Sequence, residues 1–417
     1  MTNLTLKLKH IEQLSSSCLM FVCMFSITRC VPFKSLSILV TTSLFALFAV
    51  SFRAIFINIC KSSEYLRAIY LINIFLLFIM LSYSGLMEND MGLAVRFFMI
   101  FAIILTAYFH PPHRHFINIF LFLACLHSLV LVIFEIYMAF FTDYSLYQVI
   151  RMYFNENGYG DVFTFNGFFY RVQIVGNSVI PVSLFIAVIY LKNSWRKYIA
   201  AILLLSGTVI AGNFAFLIAT LFFAYLYLSL SVKLTYQNIV VGTVLMVLLV
   251  LGGYLLTKDY STMVLERKKD VSLGARADQT ALLMDDLAEN SFSLLFGKGL
   301  GHTIAKETQF RDYTGTFYYE LQTLYLLNQT GIIYFSLFVL TNVILILKFI
   351  NNKKLLLIYA SYLVYAVTNP YIFDSVHVLL IIVLVSMRKE IASDEPSCAV
   401  RHKLGDAFDQ VPSVFPS

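Results

Sequence analysis

Charge is scarce in this chain. Only 13% of its 417 residues are Asp, Glu, Lys or Arg, against about 25% in a typical soluble domain. That deficit excludes an ordinary water-exposed surface. Tryptophan occurs once, so an aromatic belt at a membrane interface must rest mostly on tyrosine. Of the six cysteines, Cys18, Cys23, Cys30, Cys60, Cys125 and Cys398, most lie in apolar runs or on the side expected to face the cytoplasm. None falls in the long polar loop and none forms a CxxC pair, so neither a disulfide framework nor a zinc site is expected. No leader with a small-residue cleavage site is evident, and the first apolar run, Leu14 to Val31, reads as a retained span. The net charge of +6 is modest, and nucleic acid is not an expected partner.

What the chain has instead is apolar length. Hydrophobic residues make up 59% of it, and the mean hydropathy is +0.79. A run of roughly 20 apolar residues spans a bilayer as a helix, and a helix satisfies its own backbone groups in lipid. Spans are expected at 14–31, 36–58, 66–86, 91–109, 115–141, 173–192, 196–212, 213–230, 238–256, 322–348, 354–368 and 371–388. The expected fold class is therefore an all-α polytopic membrane protein with about 12 transmembrane helices. Residues 1–390 form one transmembrane domain, and 391–417 a flexible cytoplasmic tail.

Charge in the short loops sets the orientation. With Lys7 and Lys9 inside, alternate loops carry Lys61 and Arg67, Arg114, Lys192 with Arg196 and Lys197, Lys233, and Lys348 with Lys353 and Lys354. Opposite loops hold Lys34, then Glu88 and Asp90, then almost nothing around Asn213 and Pro370. Both termini are thus expected in the cytoplasm. Two longer segments, 142–172 and 257–319, fall outside. The second is the large late periplasmic loop of this reading. Within it, Ala281–Leu295 has apolar residues at helical spacing with Asp285, Asp286 and Glu289 between them, which predicts an amphipathic helix at the interface or packed in a small outer subdomain.

Four polar constellations carry the candidate chemistry. Arg171 and Arg276 stand on the two outer segments, where a planar, permanently charged guanidinium can grip phosphate at two points. Arg171, Gln173 and Asn177 are spaced as on one helical face entering the sixth span. Pro181 frees a backbone carbonyl there, so the group reads as a polar pocket or as a hydrogen-bond cluster between helices. Gly297-Lys298-Gly299-Leu300-Gly301-His302 does not follow a strand within a βαβ unit, so a dinucleotide fingerprint is rejected in favour of a tight turn, with Lys298 a further phosphate contact. Glu320 opens the tenth span, near the arginines, as either a general base or a helix-start carboxylate. The His110-Pro-Pro-His113-Arg114-His115 run faces the cytoplasm without a carboxylate or Cys nearby, and no metal is expected.

This order of features resembles the bacterial O-antigen polymerases (Wzy-type) and O-antigen ligases, over residues 14–388. The resemblance rests on Arg171 with Gly176-Asn177 entering a middle span, and on Arg276 followed by an amphipathic stretch ending in Phe296-Gly297-Lys298-Gly299-Leu300-Gly301. Glu320 with Gly331 in the next span and Thr368-Asn369-Pro370 near the end complete it. Ligases of that superfamily have a histidine where this chain has Glu320, which points to a polymerase. A Ser-Arg-Gly-like turn common in the superfamily has no arginine here, at Ala211-Gly212-Asn213.

The resemblance implies en bloc transfer of a growing chain between undecaprenyl-diphosphate-linked oligosaccharides at the periplasmic face of the bacterial inner membrane, with no cofactor and no metal. Glu320 and Arg276 would be catalytic. Arg171, Gln173, Asn177, Arg276 and Lys298 would bind substrate. Membrane lipid and a chain-length regulator protein are the implied partners. The competing readings are a flippase for lipid-linked oligosaccharides and a ligase of the same superfamily. A flippase usually shows related halves, and no internal repeat is visible.

Overall fold

The structure, a computed structural model, describes residues 2–29, 36–164, 169–192, 194–231, 274–308, 312–314 and 319–394. The expected ninth span, residues 395–417 of the expected tail, and Lys34, Lys233, Lys258, Arg267, Lys268, Lys269 and Arg311 lie outside them. What is described is predominantly helical. In chain order come α1 (Thr2–Thr28), α2 (Ser37–Val50), α3 (Phe52–Lys61), α4 (Glu64–Leu86), α5 (Met91–Ala107) and α6 (Arg114–Phe141). Then follow α7 (Tyr144–Glu156), β1 (Gly160–Thr164), β2 (Tyr170–Ile174), α8 (Val179–Tyr190), α9 (Trp195–Ile210) and α10 (Phe214–Ser231). The last five helices are α11 (Gly274–Leu287), α12 (Ser291–Phe296), α13 (Gln322–Phe349), α14 (Lys353–Ala366) and α15 (Ser375–Asp394).

Four helices are long and apolar enough to cross a membrane: His10–Thr28 within α1, α4, α6 and α13. A fifth such unit is the α2–α3 pair, bent by 58° at Ser51. This is the composition of a membrane-embedded protein. The apolar helices α5, α8 and α10 are shorter. Large side chains such as Phe75, Phe122, Phe140, Leu340 and Leu347 stay exposed on the bundle's flanks, as lipid-facing positions require. The interior is built on α8, where Val179 to Ala187 are all buried, and on α15, where Val376 and Val378 to Leu384 are.

Several apolar runs predict helix positions to within a few residues, but α1 starts at Thr2, α15 runs on to Asp394 and the run 36–58 is the bent pair α2–α3; the break between α9 and α10 falls at Gly212–Asn213 as expected. Three details differ. The fold is not purely all-α, because the segment 142–172 leads into the antiparallel hairpin β1–β2. Its Tyr-, Phe- and Val-rich alternation buries Tyr170 and Val172 on one side, the period of a strand. The sixth span does not begin at 173 but at Val179. Pro181 therefore sits in the first turn of α8, where its missing N–H disturbs nothing. Finally, the amphipathic helix expected over 281–295 is two helices, α11 and α12, with Asn290 capping the second through Ser293 N at 2.7 Å. An Asn cap starts a new helix in place of continuing the old one.

Contacts between helix ends fall into two sets. In one, Asn58 Nδ2 donates to Phe109 O (2.9 Å), His113 N to Ser386 Oγ (3.1 Å), Tyr190 OH to Glu390 (2.8 Å) and Arg388 to Lys348 O (2.8 Å). In the other, Asn213 Nδ2 donates to Asn369 Oδ1 (3.3 Å), Asn89 Nδ2 to Lys298 O (2.9 Å), and Gly212 carries the Arg171 side chain. Arg171 and Lys298 both take part in the second set, so the described parts of 142–178 and 274–321 belong to it.

Candidate functional site

The polar segment 274–321 is fastened to the bundle at a break in α13. Gly331 has φ 69° and ψ 173° inside that helix, a combination open only to glycine. The break leaves the carbonyls of Asn328 and Gln329 without intrahelical partners. Lys298 N and Gly299 N fill both places, each at 2.9 Å, and Gly301 N donates to Gln329 Oε1 at 3.0 Å. The glycine run thus laces onto an unwound turn of a membrane span. The tight turn expected here is present at Leu300–Gly301, closed by His302 N on Gly299 O at 3.4 Å, and the neighbouring amides make the cross-brace. A side chain at Gly301, itself at φ 80°, would meet the backbone of Asp90 and Ala94 at the start of α5.

One face of α11 reads Arg276, Gln279, Leu283 and Asp286, at spacings of three and four residues that align on a helix. The whole face is engaged by the start of α13. Arg276 Nε pairs with Glu320 Oε2 at 3.1 Å, both side chains partly exposed. Gln279 Oε1 accepts from Leu321 N at 2.8 Å. Asn328 Nδ2 donates to Leu283 O at 3.1 Å and to Asp286 Oδ2 at 2.8 Å. Asp286 Oδ2 also accepts from His302 Nε2 at 3.1 Å, and its Oδ1 lies 4.0 Å from Lys298 Nζ. Burial pushes the Asp286 carboxyl up, but the hydrogen bonds from His302 and Asn328 and the nearby His302 and Lys298 charges outweigh it and hold it below its ordinary value. It is ionised at neutral pH, and an ionised carboxylate only accepts. His302 Nε2 must therefore carry the proton of that bond.

Lys298 itself is nearly buried and its Nζ pairs with Glu289, which is exposed. The expected phosphate contact is thus already held by two carboxylates, Glu289 and Asp286. Beneath it runs a tyrosine stack, Tyr313–Tyr319 at 5.3 Å and Tyr319–Tyr325 at 4.1 Å between ring centres. Tyr325 OH donates to His302 O at 2.6 Å, and burial pushes the Tyr319 hydroxyl up to about 12. The stack is a neutral floor that fixes the His302 backbone.

Arg171 is on β2, paired in register with Phe163, and its side chain lies over Gly212 between α9 and α10. A Cβ at Gly212 would come within 2.6 Å of Arg171 Cγ. Gln173, two residues along the strand, is exposed and registers with Asp161. Asn177 does not share a helical face with them. It is buried, its Oδ1 accepts from His127 Nε2 at 3.0 Å, and its Nδ2 donates to Val172 O at 2.7 Å. Of the two open alternatives for this group, the hydrogen-bond cluster describes Asn177. Replacing Asn177 with Ala is expected to cost about 1–3 kcal/mol by stranding both partners, read as a lower temperature of irreversible aggregation in detergent.

The structure therefore brings Arg276 and Glu320 together, places Lys298 in an adjoining ionic cluster, and leaves Arg171 and Gln173 on the hairpin at the same end. Sequence reasoning saw Asp286 only as a polar position of the amphipathic stretch and gave no role to Gln279 or Asn328. Their signal was the spacing along α11 and the polar Asn328-Gln329-Thr330 inside an apolar span, where such groups are costly unless partnered. Arg151 is another cation near the hairpin, but Asp161 holds it by two bonds of 2.9 and 3.2 Å, raising its pKa, and it stacks 5.2 Å from the Phe163 ring. Among the described residues no group of three or more His, Cys, Asp or Glu is placed to hold a metal ion. No protein-family model matches the chain, and none of the curated proteins matches it.

Proposed function

We propose that the chain is a polysaccharide polymerase. It joins undecaprenyl-diphosphate-linked oligosaccharide repeat units by en bloc glycosyl transfer at the periplasmic face of the bacterial inner membrane. The observation that carries this reading is the Arg276–Glu320 pair at the mouth of α13, at the bundle end that also holds Arg171. A guanidinium tied to one carboxylate edge keeps donors for a second anion and is aimed by its partner. Two arginines on separate segments suit a diphosphate, whose charge grows as it leaves the sugar. In this reading the described helices, with the remaining spans, make about twelve crossings with both termini in the cytoplasm. Undecaprenyl-diphosphate-linked donor and acceptor units then enter laterally from the membrane, and a chain-length regulator limits the product.

A deletion strain tests the function. Loss of the chain is expected to leave single repeat units on the lipid A core and to remove long polymer from a gel. A strain that exports no units at all would instead make the chain a flippase, and polymer stranded on its carrier would make it a ligase.

A further inference from the structure

Given that reading, the reaction needs a base for the acceptor hydroxyl, and Glu320 is poorly placed for it. Its carboxylate is bound to Arg276, the cation assigned to the leaving diphosphate. In an in-line displacement the attacking hydroxyl and the leaving group lie on opposite sides of the anomeric carbon. A base sharing an ion pair with the leaving group's cation is on the wrong side.

The other end of the same α11 face carries the alternative. His302 donates through Nε2 to Asp286, so in the neutral ring Nδ1 bears the lone pair. The ring is partly exposed, and among the described residues Nδ1 makes no hydrogen bond. A carboxylate that fixes the tautomer of an imidazole and stabilises its protonated form is the standard orientation of a histidine base. Asp286 is itself fixed by Asn328 and faced by Lys298, and Tyr325 anchors the His302 backbone. Asp286 lies ten residues after Arg276 on α11, a rise of about 15 Å. An in-line complex fills such a span, with contacts of about 3 Å at base and guanidinium, about 3 Å between attacking oxygen and carbon, and the diphosphate between.

We propose that His302 is the catalytic base, with Asp286 its positioning residue and Glu320 the positioning residue for Arg276. The acceptor hydroxyl oxygen forms the new bond to the anomeric carbon as its proton passes to Nδ1. The bond from that carbon to the phosphate oxygen breaks, and undecaprenyl diphosphate leaves with the electron pair.

The test uses the purified full chain and lipid-linked single repeat units extracted from a strain deleted for it. Wild type is expected to form polymer. His302→Gln, whose amide can still donate to Asp286, is expected to lower kcat at least 100-fold with KM within twofold. For His302→Ala, added imidazoles are expected to restore rate in proportion to their basicity, which a merely structural histidine would not produce. Asp286→Asn is expected to lower kcat alone, by 10-fold or more. Full activity of His302→Gln, or rescue of His302→Ala independent of imidazole basicity, would overturn the assignment while leaving the polymerase reading intact. A wild-type protein that makes no polymer from these units would overturn both.

Discussion

Replacing Arg276 with alanine is expected to abolish long polysaccharide while the protein still accumulates in the membrane. The guanidinium is partly exposed and pairs with Glu320 through its Nε edge, so its removal opens no apolar cavity. A partly exposed ion pair contributes about 1 kcal/mol or less to stability, so folding should survive. In the transition state the same group would face the charge that develops on the leaving diphosphate. Losing one such donor costs a factor of about 100–1,000 in rate. Arg276→Lys should recover little, because an ammonium cannot make the planar two-point contact. The measurement is gel analysis of polymer length beside immunoblotting of the membrane fraction. Polymer of normal length from Arg276→Ala would remove the arginine from the mechanism.

Gly331→Ala is expected to be strongly damaging for a change of a single methyl group. At φ 69° and ψ 173° a side chain is strained wherever it points. A Cβ there would also press on Leu295 O, Phe296 C and Gly297 N, all backbone atoms of the segment that laces onto α13. Neither partner can rotate away. Relief requires the glycine run to lift off Asn328 O and Gln329 O, which dismantles the mounting of Lys298 and His302 together. A loss of about 3 kcal/mol or more follows from the strain and the stranded bonds combined. Gly85→Ala is the control. Its Cβ would meet only Met91 Sδ at an ordinary 3.8 Å, and replacing a helical glycine gains up to about 1 kcal/mol. Accumulation and thermal aggregation of the two variants in detergent should therefore move in opposite directions.

The helices were legible because lipid leaves a chain few options. A bilayer demands a fixed length of apolar sequence and no free backbone groups, so runs such as 115–141 and 322–348 announce α6 and α13 almost to the residue. The site was less legible for two reasons. Backbone departures are decided by contacts distant in sequence: Gly331 breaks a span because Lys298 and Gly299 supply the donors its neighbours lack. The strand at Tyr170–Ile174 exists because β1 pairs with it, so Arg171, Gln173 and Asn177 looked helical only on spacing. Pairings within the outer segment were hidden in the same way. Arg276 and Glu320 were each visible as charged residues near the membrane, but their contact joins positions 44 residues apart. His302 looked like the tail of a glycine run until Asp286, on another helix, turned it into an oriented imidazole.

The central claim is that cations on two separate segments at one end of the bundle grip the diphosphate of a carrier lipid. Native mass spectrometry of the purified chain with undecaprenyl diphosphate and undecaprenyl monophosphate tests it most directly. The account expects wild type to retain the diphosphate in preference to the monophosphate. It also expects Arg171→Ala and Arg276→Ala each to weaken that retention at least 10-fold, and the double variant to lose the preference altogether. Equal retention of both lipids by wild type, or of the diphosphate by all four proteins, would contradict it.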